Sequence, residues 1–276
     1  MKKLFVLKYN NILFLLSIIA FTYCSVQQAE RLSKVRVIEL KDSITKPHYI
    51  YFNELKVISN NKILKEKIIL EIQNLSENKD LRSSIPNQRL KQKMTLSKKC
   101  NGLINVFDCN YVPEGYVVLS KQHGILNIKY SYNQYGSYDE YFKYACFNLK
   151  IGERINYPKM FTSPKSVLKM YNKKYVLGYE TYLKKNNSQT ADEYNIEEYE
   201  VYKEHLENRT SFQLKSLNNI ELIYNQLGEI THIRFHHNGQ GGAYKRFFPK
   251  SYEEFTIKEL EPYLREGFKK ITKINL

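Results

Sequence analysis

Residues 125–149 read ILNIKYSYNQYGSYDEYFKYACFNL and contain the clearest structural pattern in the chain. Apolar and polar residues alternate over residues 125–135, and a second strand-like run covers residues 141–149. Alternation with a period of two is typical of a strand, and Gly136-Ser137 supplies a turn between the runs. The stretch therefore predicts an antiparallel β-hairpin. One face of its first strand consists of Leu126, Ile128, Tyr130 and Tyr132.

Further strands and helices are predicted on both sides of this hairpin. Strand patterns occupy residues 35–40, 48–52, 55–58, 116–119, 211–215, 220–225 and 230–235. Helical spacing of apolar residues occupies 63–75, 163–183, 191–206 and 255–264, and a basic helical end is expected over 265–276. Residues 76–99 are polar and basic, which predicts a loop or a poorly anchored helix. This order predicts an α+β fold, in which helices inserted between antiparallel β-hairpins pack on the sheet.

The start of the chain has the composition of a secretory signal. Residues 1–25 carry a basic beginning, an apolar run over 12–21 and a short polar end. The apolar run is too short to span a bilayer as a helix. We therefore expect an export signal over 1–25 and a tether over 26–33. Cys24 is a candidate site of lipidation; cleavage after Cys24 or Ser25 and an uncleaved anchor are the alternatives.

The remaining chain has the composition of a folded protein. Of its residues, 42% are hydrophobic and 14% aromatic, which predicts a domain with a core over residues 34–276. This domain is undivided or consists of two subdomains that meet near residues 110–120. The net charge of +15 comes from scattered lysines rather than one basic arm, so nucleic acid is not an expected partner. This positive charge would attract the protein to anionic envelope surfaces, or it belongs to a solvated surface without a binding role.

Three cysteines follow Cys24, in a compartment expected to permit disulfides. Cys100 and Cys109 are nine residues apart across Asn101-Gly102 and are candidates for a small disulfide loop. Cys146 lies in an aromatic strand and is expected to be a buried small apolar residue. The spacing does not match a zinc site.

Two segments carry candidate ligand-binding residues. The first is a glycine-rich loop with neighbouring aromatic and basic side chains: His236, His237, Asn238, Gly239, Gln240, Tyr244, Lys245 and Arg246. The second is the hairpin tip, with Tyr135 and Tyr138. The alternatives are a long hairpin turn for the loop and cross-strand packing for the tyrosines. His232 and His236 share a strand face, but no third ligand is fixed, so we predict no metal site.

No pattern of catalytic residues is present in the sequence. Asp139-Glu140 and the glutamates at 197–200 are adjacent carboxylates and do not predict a pair facing across a cleft. Nucleophile and metalloprotease motifs are also missing. We therefore predict no catalytic residue and no cofactor.

Several segments together resemble a known domain. They are GILNIKY at 124–130, CFNLKIGE at 146–153, MF at 160–161, FQL at 212–214, NIELIY at 219–224 and FTIKELEPYL at 255–264. The pattern resembles the extracytoplasmic domain of RsiV-type anti-sigma factors and the N-terminal region of PdaC-type peptidoglycan deacetylases. It covers about residues 34–265. The resemblance implies an α+β fold, an extracytoplasmic location and a binding role; in the anti-sigma factors the domain captures lysozyme.

The resemblance does not extend to signalling or catalysis, because the sequence shows neither an anti-sigma region nor a deacetylase domain. We therefore expect an exported binding protein that recognises a glycan, peptidoglycan or a lysozyme-like protein. It would be periplasmic, associated with the outer membrane or secreted, and attached to a membrane through an N-terminal lipid or an uncleaved signal. A hydrolase of envelope polymers and a structural lipoprotein without a ligand are the alternatives.

Overall fold

The computed structural model describes residues 35–44, 50–78, 81, 83, 85–101, 112–133, 140–187, 204, 212–237, 251–272 and 274. The expected signal over 1–25, Cys24, the tether over 26–33 and the expected helix over 191–206, except residue 204, lie outside these residues. No helix within the described ranges combines the length and the apolar character that crossing a bilayer requires.

The described strands form three antiparallel sheets, which confirms the α+β class. A hairpin joins β1 (Arg36–Ile44) to β2 (Ile50–Ile58). The central sheet has the order β3 (Glu114–Gln122), β4 (Ile125–Asn133), β5 (Glu140–Asn148), β6 (Glu153–Ile155). The third sheet consists of β7 (Ile220–Tyr224), β8 (Ile230–His236) and β9 (Tyr252–Thr256).

The helices lie between these strands along the chain. They are α1 (Lys62–Gln73), α2 (Pro86–Asn101), α3 (Tyr157–Met160), α4 (Pro164–Asn187), α5 (Ile257–Leu260) and α6 (Glu266–Thr272). Asn61 caps α1, because its side chain accepts a hydrogen bond from the Leu64 amide. Short 3₁₀ helices cover Leu214–Asn218 and Glu261–Tyr263.

The predicted hairpin is confirmed and forms the middle of the molecule. Ile128 lies opposite Ala145 and Tyr132 lies opposite Tyr141 in the β4–β5 register. Leu126, Ile128 and Tyr130 pack in one core with apolar residues of β2 and α1. Residues on the other face, including Ile125 and Cys146, pack in a second core with α4, β7, β8 and β9. The central sheet is therefore covered on both faces where these strands are apolar.

The expectation of a loop or poorly anchored helix over residues 76–99 is wrong for its second half. Helix α2 begins at Pro86 and ends at Asn101, and it packs Leu90 in a small core with Phe52 of β2. The side chains of Arg89 and Lys93 are fully buried. The basic composition of this segment predicted exposure, because lysine and arginine are rarely buried without partners. The carboxylate partners of Arg89 and Lys93 are distant in the sequence.

Two further predicted elements differ from the structure. Residues 214–218 form a 3₁₀ helix instead of a strand. The expected helix over 255–264 starts later, because residues 252–256 pair with β8 as strand β9. Thr256 then forms a capping box with Glu259, which ends the strand and begins α5.

Asn127 connects the central sheet to β7 through its side chain. Its Nδ2 donates to the Leu222 carbonyl oxygen at 2.7 Å, and its Oδ1 accepts from the Leu222 amide at 3.3 Å. The same Oδ1 lies 2.6 Å from Sγ of Cys146. A buried amide thus supplies β7 with the backbone hydrogen bonds that another strand would make.

Candidate binding cleft

Most of the predicted binding residues lie outside the described residues. They are Tyr135, Tyr138, Asn238, Gly239, Gln240, Tyr244, Lys245 and Arg246. Their binding role stays a prediction. The pairing of Cys100 with Cys109 also stays a prediction, because Cys109 lies outside the described residues. Cys100 is buried and disulfide-bonded.

His236 is the last residue of β8, and its side chain is buried. The imidazole stacks on Tyr144 with a centroid distance of 3.4 Å, and its Nε2 lies 2.8 Å from Oε2 of Glu221. Burial lowers the pKa of His236, although Glu221 opposes this shift. Its ring is therefore part of the contact between β5 and the third sheet.

His237 is also buried, in a group of aromatic rings. Its ring centroid lies 5.1 Å from Tyr175 of α4 and 5.4 Å from Phe212. Its backbone amide donates to the Ser251 carbonyl oxygen at 2.9 Å. The structure therefore places both histidines in the interior. Within the described part of the chain, no three His, Cys, Asp or Glu side chains are grouped as metal ligands.

Cys146 is a free thiol in the core between the central and third sheets. Burial raises the pKa of this thiol above its ordinary value, so it stays protonated and unreactive at neutral pH. The prediction of a buried small apolar residue is confirmed.

An open cleft of about 250 Å³ lies at the end of the central sheet where β4 ends and β5 begins. We call it the tip cleft. Its described lining is a mixture of polar and apolar residues and includes one tyrosine and one phenylalanine. The lining residues are Phe52, Asn53, Pro113, Glu114, Gly115, Ser131, Tyr132, Asn133 and Glu140.

Tyr132 belongs to a stack of tyrosines on the central sheet. Its ring centroid lies 5.3 Å from Tyr141 across the strand pair and 5.6 Å from Tyr130 on the same strand. Tyr130 is fully buried, whereas Tyr132 is half-buried and lines the cleft. Cross-strand packing therefore holds Tyr132 against Tyr141, and the Tyr132 ring forms an aromatic wall of the cleft.

Gly115 and Asn53 set the floor of the tip cleft. Asn53 Oδ1 accepts from the Tyr116 amide at 2.7 Å, and Nδ2 donates to the Tyr116 carbonyl oxygen at 2.5 Å. A Cβ on Gly115 would lie 3.2 Å from Asn53 Oδ1 and 3.7 Å from Ser131 Oγ. The glycine thus lets the Asn53 side chain approach the edge of β3, and it adds no side chain of its own to the floor.

A buried ion cluster of Glu54, Arg89, Lys93 and Glu114 lies behind the cleft wall. Arg89 donates through Nε to Glu54 at 2.6 Å and through Nη2 to Glu114 at 2.8 Å. Lys93 Nζ lies 2.9 Å from a carboxylate oxygen of each glutamate. Each cation lies beside both carboxylates, so every buried charge has partners of opposite sign. The cluster as a whole has no net charge.

Glu114 belongs to both the cluster and the cleft lining. Besides the two cations, its carboxylate accepts hydrogen bonds from Ser76 Oγ at 2.5 Å, Asn78 Nδ2 at 2.8 Å and Tyr130 Oη at 2.8 Å. Burial alone would raise the pKa of Glu114, but Lys93 and Arg89 outweigh it and hold the pKa at about 2. The cleft wall is therefore anchored by an ionised carboxylate.

Sequence reasoning missed this cluster, and only one weak signal pointed to it. Arg89 and Lys93 are four residues apart, so they lie on the same face of a helix. Nothing in the sequence links them to Glu54 and Glu114, which come from two separate strands. The pairing depends on the packing of α2 across β2 and the beginning of β3.

The cluster predicts a dependence of stability on pH. The pKa of Glu114 is about 2 in the folded protein and 4.5 in its reference state. The folded state is therefore favoured above pH 4.5, and this contribution is lost as the pH falls towards 2. We expect a loss on the order of 3 kcal/mol in the free energy of unfolding. Urea unfolding at several pH values from 7 to 2.5 measures this loss. If the Glu114→Gln variant lost the same amount of stability over this range, Glu114 would not be the group responsible.

The fold and the cleft together define an α+β protein with an open cleft of mixed polarity at one end of a central antiparallel sheet. Neither the models of protein families nor the curated proteins give a match to this chain. Among solved structures, the chain is similar to a DUF3298 family protein from Pseudomonas aeruginosa PAO1. The two are 11% identical, the match covers 85% of this chain and 96% of that chain, and the TM-score is 0.45.

Proposed function

We propose that this protein is an exported binding protein of the cell envelope that recognises a glycan in the tip cleft. The observation that carries the proposal is the lining of this cleft, which combines an aromatic wall with hydroxyl, amide and carboxylate groups. Export is supported by the composition of residues 1–25, and the binding role by the resemblance to the RsiV-type and PdaC-type domains.

The lining suits a sugar because a sugar ring has apolar C–H faces and a rim of hydroxyl groups. Tyr132 offers apolar surface, while Ser131, Asn133 and Glu140 offer hydrogen-bonding groups. A cleft of about 250 Å³ holds the volume of roughly eight waters, which is the scale of one sugar ring. A terminal or single internal sugar of an envelope polymer would fit this size.

Glu114 is unsuited to be the proton donor of a glycosidase. Glycosidases pair two carboxyl groups, one of which keeps a raised pKa so that it can protonate the leaving group. Two acidic residues, Glu114 and Glu140, are among the lining residues, and the side chain of Glu114 is fully buried. Glu114 has a pKa of about 2 and accepts hydrogen bonds from three neutral donors. Such a group cannot donate a proton near neutral pH.

We expect Ser131→Phe to reduce glycan binding at least tenfold, because a ring at this half-buried lining position would fill the cleft. The measurement is sedimentation of the purified protein with insoluble peptidoglycan, at low and moderate salt. Leu119→Phe is the matched control, since Leu119 is exposed on β3 outside the described cleft lining.

Two outcomes would contradict the proposal. Binding that disappears at moderate salt in every variant would reflect only the net charge of +15. Equal binding by Ser131→Phe and Leu119→Phe would place the glycan elsewhere. Lysozyme serves as a second ligand in the same assay: capture of lysozyme without peptidoglycan binding would favour a protein partner.

A further inference from the structure

One end of the molecule is built from three strand-to-strand turns and the beginning of α1. His123 Nε2 in the β3–β4 turn lies 2.7 Å from the Gly228 carbonyl oxygen in the β7–β8 turn. The β5–β6 turn lies beside the β3–β4 turn, because β4 begins opposite the end of β5. A Cβ on Gly152, in the β5–β6 turn, would lie 3.0 Å from Leu64 Cδ1 of α1. We call this region the turn end.

The described chain also begins at the turn end. The carbonyl oxygen of Val35, the first described residue, accepts a hydrogen bond from Lys121 Nζ near the end of β3 at 2.8 Å. The chain before Val35 includes the apolar run over 12–21 and the candidate lipidation site Cys24. Residues 25–34 span at most about 35 Å. An anchor at Cys24 would therefore keep the domain close to a membrane surface, and the surface of the domain would decide which side faces it.

The turn end exposes large apolar side chains. Leu227 in the β7–β8 turn is 83% exposed and Ile63 in the first turn of α1 is 80% exposed, more than any other large aliphatic side chain in the described ranges. Ile151 in the β5–β6 turn is 50% exposed. A single exposed apolar residue is ordinary, whereas a group of them at one end marks a surface suited to an apolar partner.

Exposed cations accompany these apolar side chains. Arg36 is the first residue of β1, Lys62 precedes Ile63, and Lys150 precedes Ile151. All three cations are exposed, and none has a carboxylate partner among the described residues.

The carboxylates of the turn end do not cancel this charge. Glu153 at the start of β6 is already paired with both Lys67 and Lys159. Two exposed carboxylates, Glu66 and Glu229, remain against the three cations without carboxylate partners. The turn end therefore combines apolar tips with a positive charge.

We propose that the turn end rests on a bilayer surface that contains anionic lipids, with Leu227, Ile63 and Ile151 inserted among the headgroups. Apolar side chains and cations on one surface favour such binding, because the first enter the interface and the second attract anionic headgroups. This inference rests on the membrane attachment in the proposed function and not on the ligand of the tip cleft. The cleft lies at the other end of β4, about 25 Å along the strand, so it would face away from the bilayer.

The test uses tryptophan, which the natural chain lacks. The full chain is mixed with vesicles of phosphatidylglycerol and phosphatidylethanolamine and recovered by flotation, with and without lipids brominated in the upper acyl chain. We expect the brominated lipids to reduce the emission of Leu227→Trp about twofold, because a side chain in the interface lies within about 5–10 Å of the acyl boundary. Leu177→Trp is the control and should keep its emission. Leu177 is exposed on α4 and precedes Gly178, which approaches Glu253 near the far end of β8.

The role of the cations is tested in the Leu227→Trp protein. Lys62→Gln combined with Lys150→Gln should lower the ratio of docked to undocked molecules by at least about tenfold, because each basic residue near an anionic surface strengthens binding. Lys173→Gln combined with Lys184→Gln removes the same charge from exposed positions of α4 and should leave the quenching unchanged.

The outcomes separate this inference from glycan binding. Floated protein in which neither tryptophan is quenched, or in which both are quenched equally, would overturn the inference and leave the peptidoglycan assay unaffected. Protein that stays in solution would overturn the inference together with membrane attachment. Equal quenching of Leu227→Trp in vesicles of phosphatidylcholine alone would overturn the requirement for anionic lipids.

Discussion

The substitution Glu114→Gln is expected to lower the free energy of unfolding by about 3 kcal/mol, the range found when one partner of a buried ion pair is removed. The variant leaves Arg89 and Lys93, both fully buried, facing the single carboxylate of Glu54. Glutamine keeps the size of the side chain, so the loss reports the charge and its hydrogen bonds rather than a cavity. Urea unfolding at pH 7 measures the difference.

A double substitution sharpens this test. Arg89→Met removes one buried cation, and combined with Glu114→Gln it leaves one cation and one carboxylate in the cluster. We expect the double variant to be more stable than the sum of the two single losses implies, because neutrality is restored. Glu66→Gln, at an exposed position, should change the stability by less than about 0.5 kcal/mol. A loss below about 1 kcal/mol for Glu114→Gln would show that water screens the cluster.

The substitution Asn127→Ala is expected to cost about 3 kcal/mol of stability. It removes the partners of both the amide and the carbonyl of Leu222 and leaves these buried groups of β7 without them. Asn127→Leu should also destabilise the protein, because it fills the space but restores neither hydrogen bond. Thermal and urea unfolding measure both variants.

A matched control separates this role from a general effect of changing asparagine on β4. Asn133→Ala changes an exposed residue of the same strand and should lower stability by less than about 0.5 kcal/mol. If Asn127→Leu were as stable as the wild type, packing rather than the amide would join the two sheets.

The ion cluster also bears on the proposed binding site. Glu114 is one wall of the tip cleft, and β2 contributes both Glu54 to the cluster and Asn53 to the cleft floor. Contacts that fix these strands keep the cleft in shape before a ligand arrives. A preorganised cleft loses less conformational entropy on binding.

Local sequence patterns predicted the middle of the molecule. The alternation over residues 125–149 predicted β4 and β5, because side chains of a strand point alternately to opposite faces. Helical spacing predicted α1 and α4, and Ser163-Pro164 marked the start of α4. These elements depend on neighbours in the sequence. The strand expected over 211–215 was wrong, because residues 214–218 form a short 3₁₀ helix before β7.

The candidate site was only partly predictable. The predicted tip residues Tyr135 and Tyr138 lie outside the described residues, and Tyr132 and Glu140 on the flanking strands line a cleft. Phe52 and Asn53 of the lining come from β2, which is far away in the sequence, and no local pattern places them beside β4. The two histidines were expected in a polar loop, whereas aromatic neighbours from β5, α4 and residue 212 bury them.

The sequence by itself determined the fold class, the central hairpin and the buried thiol of Cys146, because periodicity and residue type act over a few neighbouring positions. The tertiary structure alone decided that a basic segment becomes helix α2 with Arg89 and Lys93 in the interior. A buried charge is tolerated only where opposite charges surround it. Glu54 and Glu114 reach those positions only after two strands and a helix have packed together.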